Sequence, residues 1–276
     1  MASKTFNYVP IVAIPPIVVD NKVCSAVSCM NIVNNDFYVL STYSPNNIDK
    51  QPIVMYKAYN YIPNINEGTM DYSIIQTKNG SKSIAKHLNS MTYNNHLFYA
   101  VTRNGTDNEN QVMAFGSDGV IKQKIKYSHS GSKIATINHY RDNQFIISCG
   151  GGDLITYRLV ELVGNQLNDL RNFKIQIPKD KAEDYQTGND SFYDKKTKRL
   201  YVTKFKGDLT SNAIFVYDLS VLDNKTYNAT DRYYIKPIYG ESKFEIEGLG
   251  IYNDEIYVCT NSVLNGQQVD GVYKLI

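Results

Sequence analysis

In the stretch FEIEGLGIY, Phe244 to Tyr252, two glutamates stand two residues apart. Alternate residues of an extended strand share a face, so Glu245 and Glu247 could bind a cation, accept hydrogen bonds from sugar hydroxyls, or share a proton as an acid/base pair. A second polar group, Asn189 and Asp190 in TGNDSFY, follows Gly188, whose bare backbone lets a ligand approach closely. Asn and Asp ahead of a strand also satisfy local backbone groups, and that structural role stands beside the ligand-binding one. His87 and His139 occur in comparable segments, AKHLNSMTY and KIATINHY, but no third His or Cys falls at matching spacing to complete a metal site. Lys86, Lys133 and Gln186 belong to the same set, and either lysine could pair with the glutamates at a solvated rim.

Tyrosine is the other functional cue. The chain has 23 Tyr and no Trp, and Tyr59, Tyr61, Tyr227, Tyr233 and Tyr234 exceed what strand packing requires. A Tyr ring stacks on the apolar face of a sugar while its hydroxyl meets polar groups, so exposed Tyr233 and Tyr234 suit carbohydrate recognition; packing of an outer strand is the structural alternative. Recognisable enzyme motifs are missing: there is no G-x-S-x-G, no H-E-x-x-H, no Walker sequence and no dinucleotide fingerprint. CGGGD, Cys149 to Asp153, reads as a hairpin turn because no helix follows it.

These residues need a scaffold, and the scaffold is written as a repeat. MNIVNNDFYVLSTY, MTYNNHLFYAVT, INHYRDNQFIISCG, DSFYDKKTKRLYVTKF and FEIEGLGIYNDEIYVCTN each run from an apolar approach through a short polar turn into a strand-like segment. Anchored on Tyr38, Tyr99, Ile146, Tyr201 and Tyr257, the spacings are 61, 47, 55 and 56 residues. A period near 50 with no sustained helical periodicity fits a β-propeller of four-stranded blades. LVELVGNQLNDL near Leu159 is the one segment open to a short helix or to a strand with its hairpin. An AT-rich coding sequence also enriches Asn, Lys, Tyr and Ile, so the repeat, not the composition, carries this expectation.

Third strands follow in PIVMYKAY, QVMAFGSDG, DLITYRLVE, NAIFVYDLS and GVYKLI, and outer strands in MDYSIIQT, VIKQKIKYS, NFKIQI and RYYIKPIY. The fifth repeat lacks an outer strand, and the unassigned FNYVPIVAI, Phe6 to Ile14, is expected to supply it and close the ring. The expected fold is all-β, a five-bladed propeller in a single domain over residues 1–276, with blades near 24–80, 81–130, 131–178, 184–239 and 244–276 plus 5–14. Six blades is the alternative.

With 42% hydrophobic and 20% charged residues the chain can bury a core. A net charge of +2 without long like-charge runs excludes an electrostatic nucleic-acid surface. No 18-residue apolar run offers a membrane span. Pro10, Pro15 and Pro16 split the apolar N-terminal segment, so no signal peptide is recognised, and a cytoplasmic location or export by a non-classical route is expected. Cys24, Cys29, Cys149 and Cys259 show no metal-ligand spacing and are expected as buried or half-buried thiols.

EIEGLGIYNDEIYV, with GNDSFYDKKTKRLYV one repeat earlier, resembles the inner strands of a propeller family that comprises helveticin J-type large bacteriocins, the teichoic-acid biosynthesis protein C group, and receptor-binding proteins of phages of Gram-positive bacteria. The resemblance extends over nearly the whole chain as blade order. It implies a non-enzymatic propeller that recognises a saccharide or cell-wall glycopolymer, with Glu247 and Gly248 in the blade signature and Asn189 and Asp190 in the matching turn. The expected binding set is therefore Glu245, Glu247, Asn189, Asp190, His87, His139, Lys86, Tyr233 and Tyr234, with no cofactor. Two alternatives stay open at this stage. One is a lactonase- or esterase-like hydrolase in which Glu245 or Glu247, Asp190 and an Asn hold a channel calcium or other divalent cation; the other is a protein-interaction scaffold.

Overall fold

The computed structural model describes residues 2–43, 52–59, 70–80, 88–102, 111–127, 133–178, 185–188, 190–206, 211–236 and 241–276, with the backbone alone at 59, 185–187 and 241. Among them there is no helix. The chain opens with β1 (Ala2–Phe6), β2 (Tyr8–Ala13) and β3 (Ile17–Val19). A first antiparallel meander follows in β4 (Lys22–Val33), β5 (Asp36–Tyr43), β6 (Ile53–Tyr59) and β7 (Asp71–Ile74). The second is β8 (Leu88–Asn94), β9 (Leu97–Thr102), β10 (Val112–Phe115) and β11 (Ile121–Tyr127). The third is β12 (Ile134–Arg141), β13 (Gln144–Cys149), β14 (Leu154–Val163) and β15 (Gln166–Gln176).

A fourth begins with β16 (Tyr185–Thr187) and β17 (Ser191–Asp194), both on β18 (Arg199–Lys206), and continues through β19 (Asn212–Asp218) to β21 (Asp231–Ile235). Between these last two, β20 (Thr226–Asn228) reaches back to pair with β15. The fifth meander is β22 (Glu241–Tyr252), β23 (Glu255–Leu264) with the short β24 (Gln267–Gln268), and β25 (Gly271–Leu275).

Local chemistry makes these hairpins. Asn34 and Asn35, Asn95 and His96, and Asn253 and Asp254 all have positive φ at consecutive positions. A two-residue turn of that kind matches the twist of the flanking strands, and Asn and Asp tolerate the left-handed region better than other side chains. The polar turn that recurs along the sequence is therefore the inner hairpin of successive meanders. LVELVGNQLNDL is strand, hairpin and strand: β14 turns at Gly164 and Asn165 into β15.

The meanders stand around an axis. Their innermost strands pack in sequence, β4 on β8, β8 on β12, β12 on β17, β17 on β22, and β22 back on β4. Buried apolar side chains fall into clusters between successive meanders: Leu40 and Met55 meet Phe98 and Phe115, Ile147 meets Val112 and Tyr99, and Tyr157 and Phe173 meet Leu200 and Phe215. Ile214 and Val216 then meet Phe244 and Val258, and Tyr257 and Cys259 meet Phe37 and Val39. Period-2 alternation explains why Phe37 and Val39 serve one cluster while Tyr38 and Leu40 serve the next. This is a β-propeller architecture.

The N-terminal segment joins two meanders instead of one. Tyr8–Ala13 pairs antiparallel with β25, so the ends of the chain close the ring. Ala2–Phe6 turns away at Asn7 and lies parallel on β21, covering the outer edge of the fourth meander. The bulge beside Pro10 accommodates a residue that cannot donate to the ladder.

Successive meanders are also joined by side chains. Asn31 Nδ2 donates to the Met91 carbonyl (3.2 Å), and Thr92 Oγ1 accepts the His139 N–H (2.9 Å). Asn138 Oδ1 accepts the Tyr193 N–H (2.9 Å), Asn212 Oδ1 the Ile246 N–H (3.1 Å), and Asp270 Oδ2 the Val27 N–H (3.3 Å). Replacing one of the four acceptors, Thr92, Asn138, Asn212 or Asp270, leaves a backbone N–H without its partner, which costs about 1–3 kcal/mol. N138A is expected to lower stability by that amount in urea unfolding, whereas an alanine at exposed Asn143, on the neighbouring turn, changes it far less.

Candidate functional site

A deeply buried carboxyl lies just before β17. Asp190 is 3% exposed, and its Oδ1 accepts the Ser90 hydroxyl at 2.6 Å and the Ser191 N–H at 2.8 Å. The Leu249 N–H also donates to the carboxyl, so donors from the second, fourth and fifth meanders converge on one side chain. Burial pushes its pKa well above the ordinary carboxylate value, and the three donors pull the other way. Thr203 Oγ1 fixes the backbone by donating to the Asp190 carbonyl at 2.9 Å. A relay of hydroxyls runs alongside: Asn138 Nδ2 donates to Ser191 Oγ, which donates to Thr136 Oγ1, which lies 2.8 Å from Ser148 Oγ.

These groups border a cavity of about 130 Å³ between the third and fourth meanders, lined among others by Thr136, Ser148, Gly151, Asp190 and Lys204. Lys204 is 4% exposed, and burial lowers its amine to about 8 against the opposing attraction of Asp153. Gly188 makes this packing feasible, because a Cβ there would sit 2.2 Å from the Thr203 carbonyl oxygen and 2.8 Å from Lys204 Cδ. The arrangement can hold a small polar ligand by hydroxyls, an amine and a carboxyl whose positions are fixed before it arrives.

Glu245 and Glu247 of β22 occupy different surroundings. Glu245 pairs with Lys243 at 2.7 Å, a neighbour on its own strand face, while Lys133 is exposed. Glu247 is buried at a bulge, since Ile246 pairs with Thr260 and Gly248 with Cys259, leaving Glu247 as the extra residue. Its charge acts on the buried thiols of Cys29 and Cys259, raising pKa values that burial already pushes up. All four cysteines are free, with Cys149 half-buried and the others buried.

His139 sits where the inner strands turn, with Lys195 Nζ donating to its Nδ1 at 2.5 Å and its Nε2 donating to the Asp142 carbonyl at 3.0 Å. Burial, and then the Lys195 charge, lower its pKa. Lys86, His87 and Asn189 lie outside the described residues, as do Tyr61 and the side chains of Tyr59 and Gln186. Among the described residues, no three His, Cys, Asp or Glu side chains cluster closely enough to hold a metal ion.

Tyr233 and Tyr234 are half-buried on the outer strand β21, Tyr233 against Phe6 at 5.1 Å and Tyr234 hydrogen-bonded to Arg232. They do not join Asp190. Tyr227 corrects the sequence expectation: it is buried in the core and its hydroxyl donates to the Val221 carbonyl at 2.6 Å, so it is no surface aromatic. Its strand β20 folds back onto β15, which no local pattern foretold.

Sequence reasoning missed Ser90, Thr136, Lys204 and Asp270. For Lys204 a signal exists in RLYVTKFK, where the lysine alternates in register with Leu200 and Val202, both core residues. Asp270 is 4% exposed and accepts from the Val27 and Ser262 N–H groups and from Gln268. Burial raises its pKa to about 6.

No protein-family model matches the sequence, and no curated protein matches it. Solved structures do share its fold. The α-L-arabinofuranosidase of Podospora anserina, crystallised with cellotriose, superposes with a TM-score of 0.57 at 8% identity, over 99% of this chain and 96% of that one. A sialidase of Trypanosoma rangeli in complex with sialic acid gives 0.47 at 10% identity, over 100% of this chain and 59% of that one. A glucose dehydrogenase-type oxidoreductase of Thermus thermophilus gives 0.44 at 9%, over 98% and 100%. At such identity the first match concerns the fold alone, and the other two are too distant to carry an argument. Together, topology and this match place the chain in the all-β propeller class.

Gly248 and Gly250 explain why EGLGI is constrained. A Cβ on Gly248 would lie 2.5 Å from the Met30 nitrogen, and one on Gly250 2.9 Å from Ile32 Cδ1, so both glycines let β22 close on β4. G248A is expected to cost about 1–3 kcal/mol through overpacking, read as a drop in thermal midpoint. Asp270 imposes a pH dependence. Its folded pKa lies above the unfolded value of about 3.9, so its contribution is fully present below that value and is lost as pH rises through 6. A carboxyl-resolved NMR titration should place its midpoint near 6, and an ordinary midpoint near 4 would contradict this account.

Proposed function

We propose that the chain is a single five-bladed propeller domain that binds a saccharide or cell-surface glycopolymer through the polar cavity beside Asp190. The five meanders and the packing of their innermost strands, each on the next and the last back on the first, support this blade count over six. The observation that carries the binding reading is the cavity wall itself: the hydroxyls of Thr136 and Ser148 and the carboxyl of Asp190, set by bonds from several meanders, face one small space. A hydroxyl both donates and accepts, which suits the hydroxyls of a sugar. Binding without turnover fits a carboxyl whose acceptor capacity is drawn on by Ser90, Ser191 and Leu249. The arabinofuranosidase of similar fold was crystallised with an oligosaccharide, cellotriose, which agrees with this reading. Membership in the helveticin J-type and teichoic-acid propeller family, which EIEGLGIYNDEIYV and GNDSFYDKKTKRLYV resemble, is part of this proposal.

The test is a thermal-shift and calorimetric screen of the full chain against neutral and acidic saccharides and wall polymers. A ligand at 100 times its dissociation constant should stabilise the protein by about 2.7 kcal/mol. S148A, which removes one cavity hydroxyl, should weaken that ligand by about 1 kcal/mol while preserving the circular dichroism spectrum. A flat response across the panel, with the protein folded, would sink the reading.

A further inference from the structure

Lys204 is a lysine in a core register. It lies on β18 two residues beyond Val202 and four beyond Leu200, and both of those pack in the cluster between the third and fourth meanders. At 4% exposure its stem is shut away from solvent, yet among the described residues no side chain or carbonyl makes a hydrogen bond or ion pair with its amine. Asp153 attracts it only through space, and the carboxyl of Asp190 is held by three other donors. Buried ammonium groups persist only when a partner offsets the lost hydration. Lys204 lines the cavity together with Thr136 and Ser148.

We infer that this cavity is a seat for an acidic group, with Lys204 as its counter-ion, and that the ligand is an acidic saccharide bearing a carboxylate or a phosphate. The inference rests on the saccharide reading above and narrows it. A cavity of about 130 Å³ has room for an acidic head group with ordered water beside it. The ring would lie outside, over the Gly150 to Gly152 turn, where a Cβ on any of the three glycines would meet nothing within 4 Å. Gly188, which also lines the cavity, leaves the room that the lysine stem occupies. The lowered amine pKa of about 8 agrees with a cation that lacks its partner and is still protonated at neutral pH.

The test follows the Lys204 side-chain resonance by NMR in the full chain during titration with sodium glucuronate, inorganic phosphate and, as the uncharged control, glucose. Saturable shifts with glucuronate alone assign a uronic-acid ligand, and with phosphate alone a phosphate-bearing polymer; both support the seat, provided glucose leaves the resonance in place. K204M, checked for folding, should lose about tenfold in affinity for the acidic probe, the loss of one buried charge partner at its weaker end, while K204R retains part of it. If neither anion moves Lys204, the seat is refuted, even where neutral saccharides bind and keep the broader reading alive. If anions bind at Lys204 but no saccharide stabilises the protein, the seat stands and the saccharide reading falls.

Discussion

The innermost strand of a propeller blade has a sheet neighbour on one side only, so half of its N–H and C=O groups face the axis with no ladder to receive them. Buried backbone groups left unpaired are costly, and the chain meets this by placing Asn, Thr and Asp side chains where the adjoining meander can use them. Asn31, Thr92, Asn138, Asn212 and Asp270 each bond the backbone of the adjoining meander. The apolar clusters hold the meanders together without direction, whereas these bonds fix their order and register about the axis.

The same requirement produces the candidate site. A centre built of polar side chains is a place where charge can be buried, and burial then moves its titration. Asp190 and Asp270 are pushed up and Lys204 is pushed down by loss of hydration, with local donors or charges acting against it. Asp190 and Lys204 border one cavity together with the hydroxyls of Thr136 and Ser148 and the glycine turn at Gly150 and Gly151. Structural roles and the lining of the candidate site therefore fall on neighbouring groups, for Ser191 and Thr136 both link meanders and support the cavity wall.

Ring closure uses different means. Elsewhere successive meanders meet through side chains of ordinary size, but β22 meets β4 across Gly248 and Gly250, and the Glu247 bulge re-aims the strand just before them. The first and last strands then complete one sheet, β2 on β25, while β1 and β20 cover edges belonging to other meanders. Exposed strand edges are templates for unwanted pairing, and these short parallel additions remove part of that hazard.

Sequence by itself determined the repeat, the strands and their hairpins, because alternation and paired Asn or Asp turns are local: NND before Phe37 and YND before Glu255 specify the same left-handed turn wherever they occur. It also marked Asp190, through the glycine before it. What tertiary structure decided was which polar residues meet. Ser90 and Asp190 are a hundred positions apart, and Val27 and Asp270 are 243 apart. It decided too that Glu245 and Glu247, two apart in the chain, are separated by a bulge, and that Tyr227 turns inward to the core. Such contacts depend on how blades pack around an axis, and no pattern of short period carries that information, because each partner's own strand would look the same with a different neighbour.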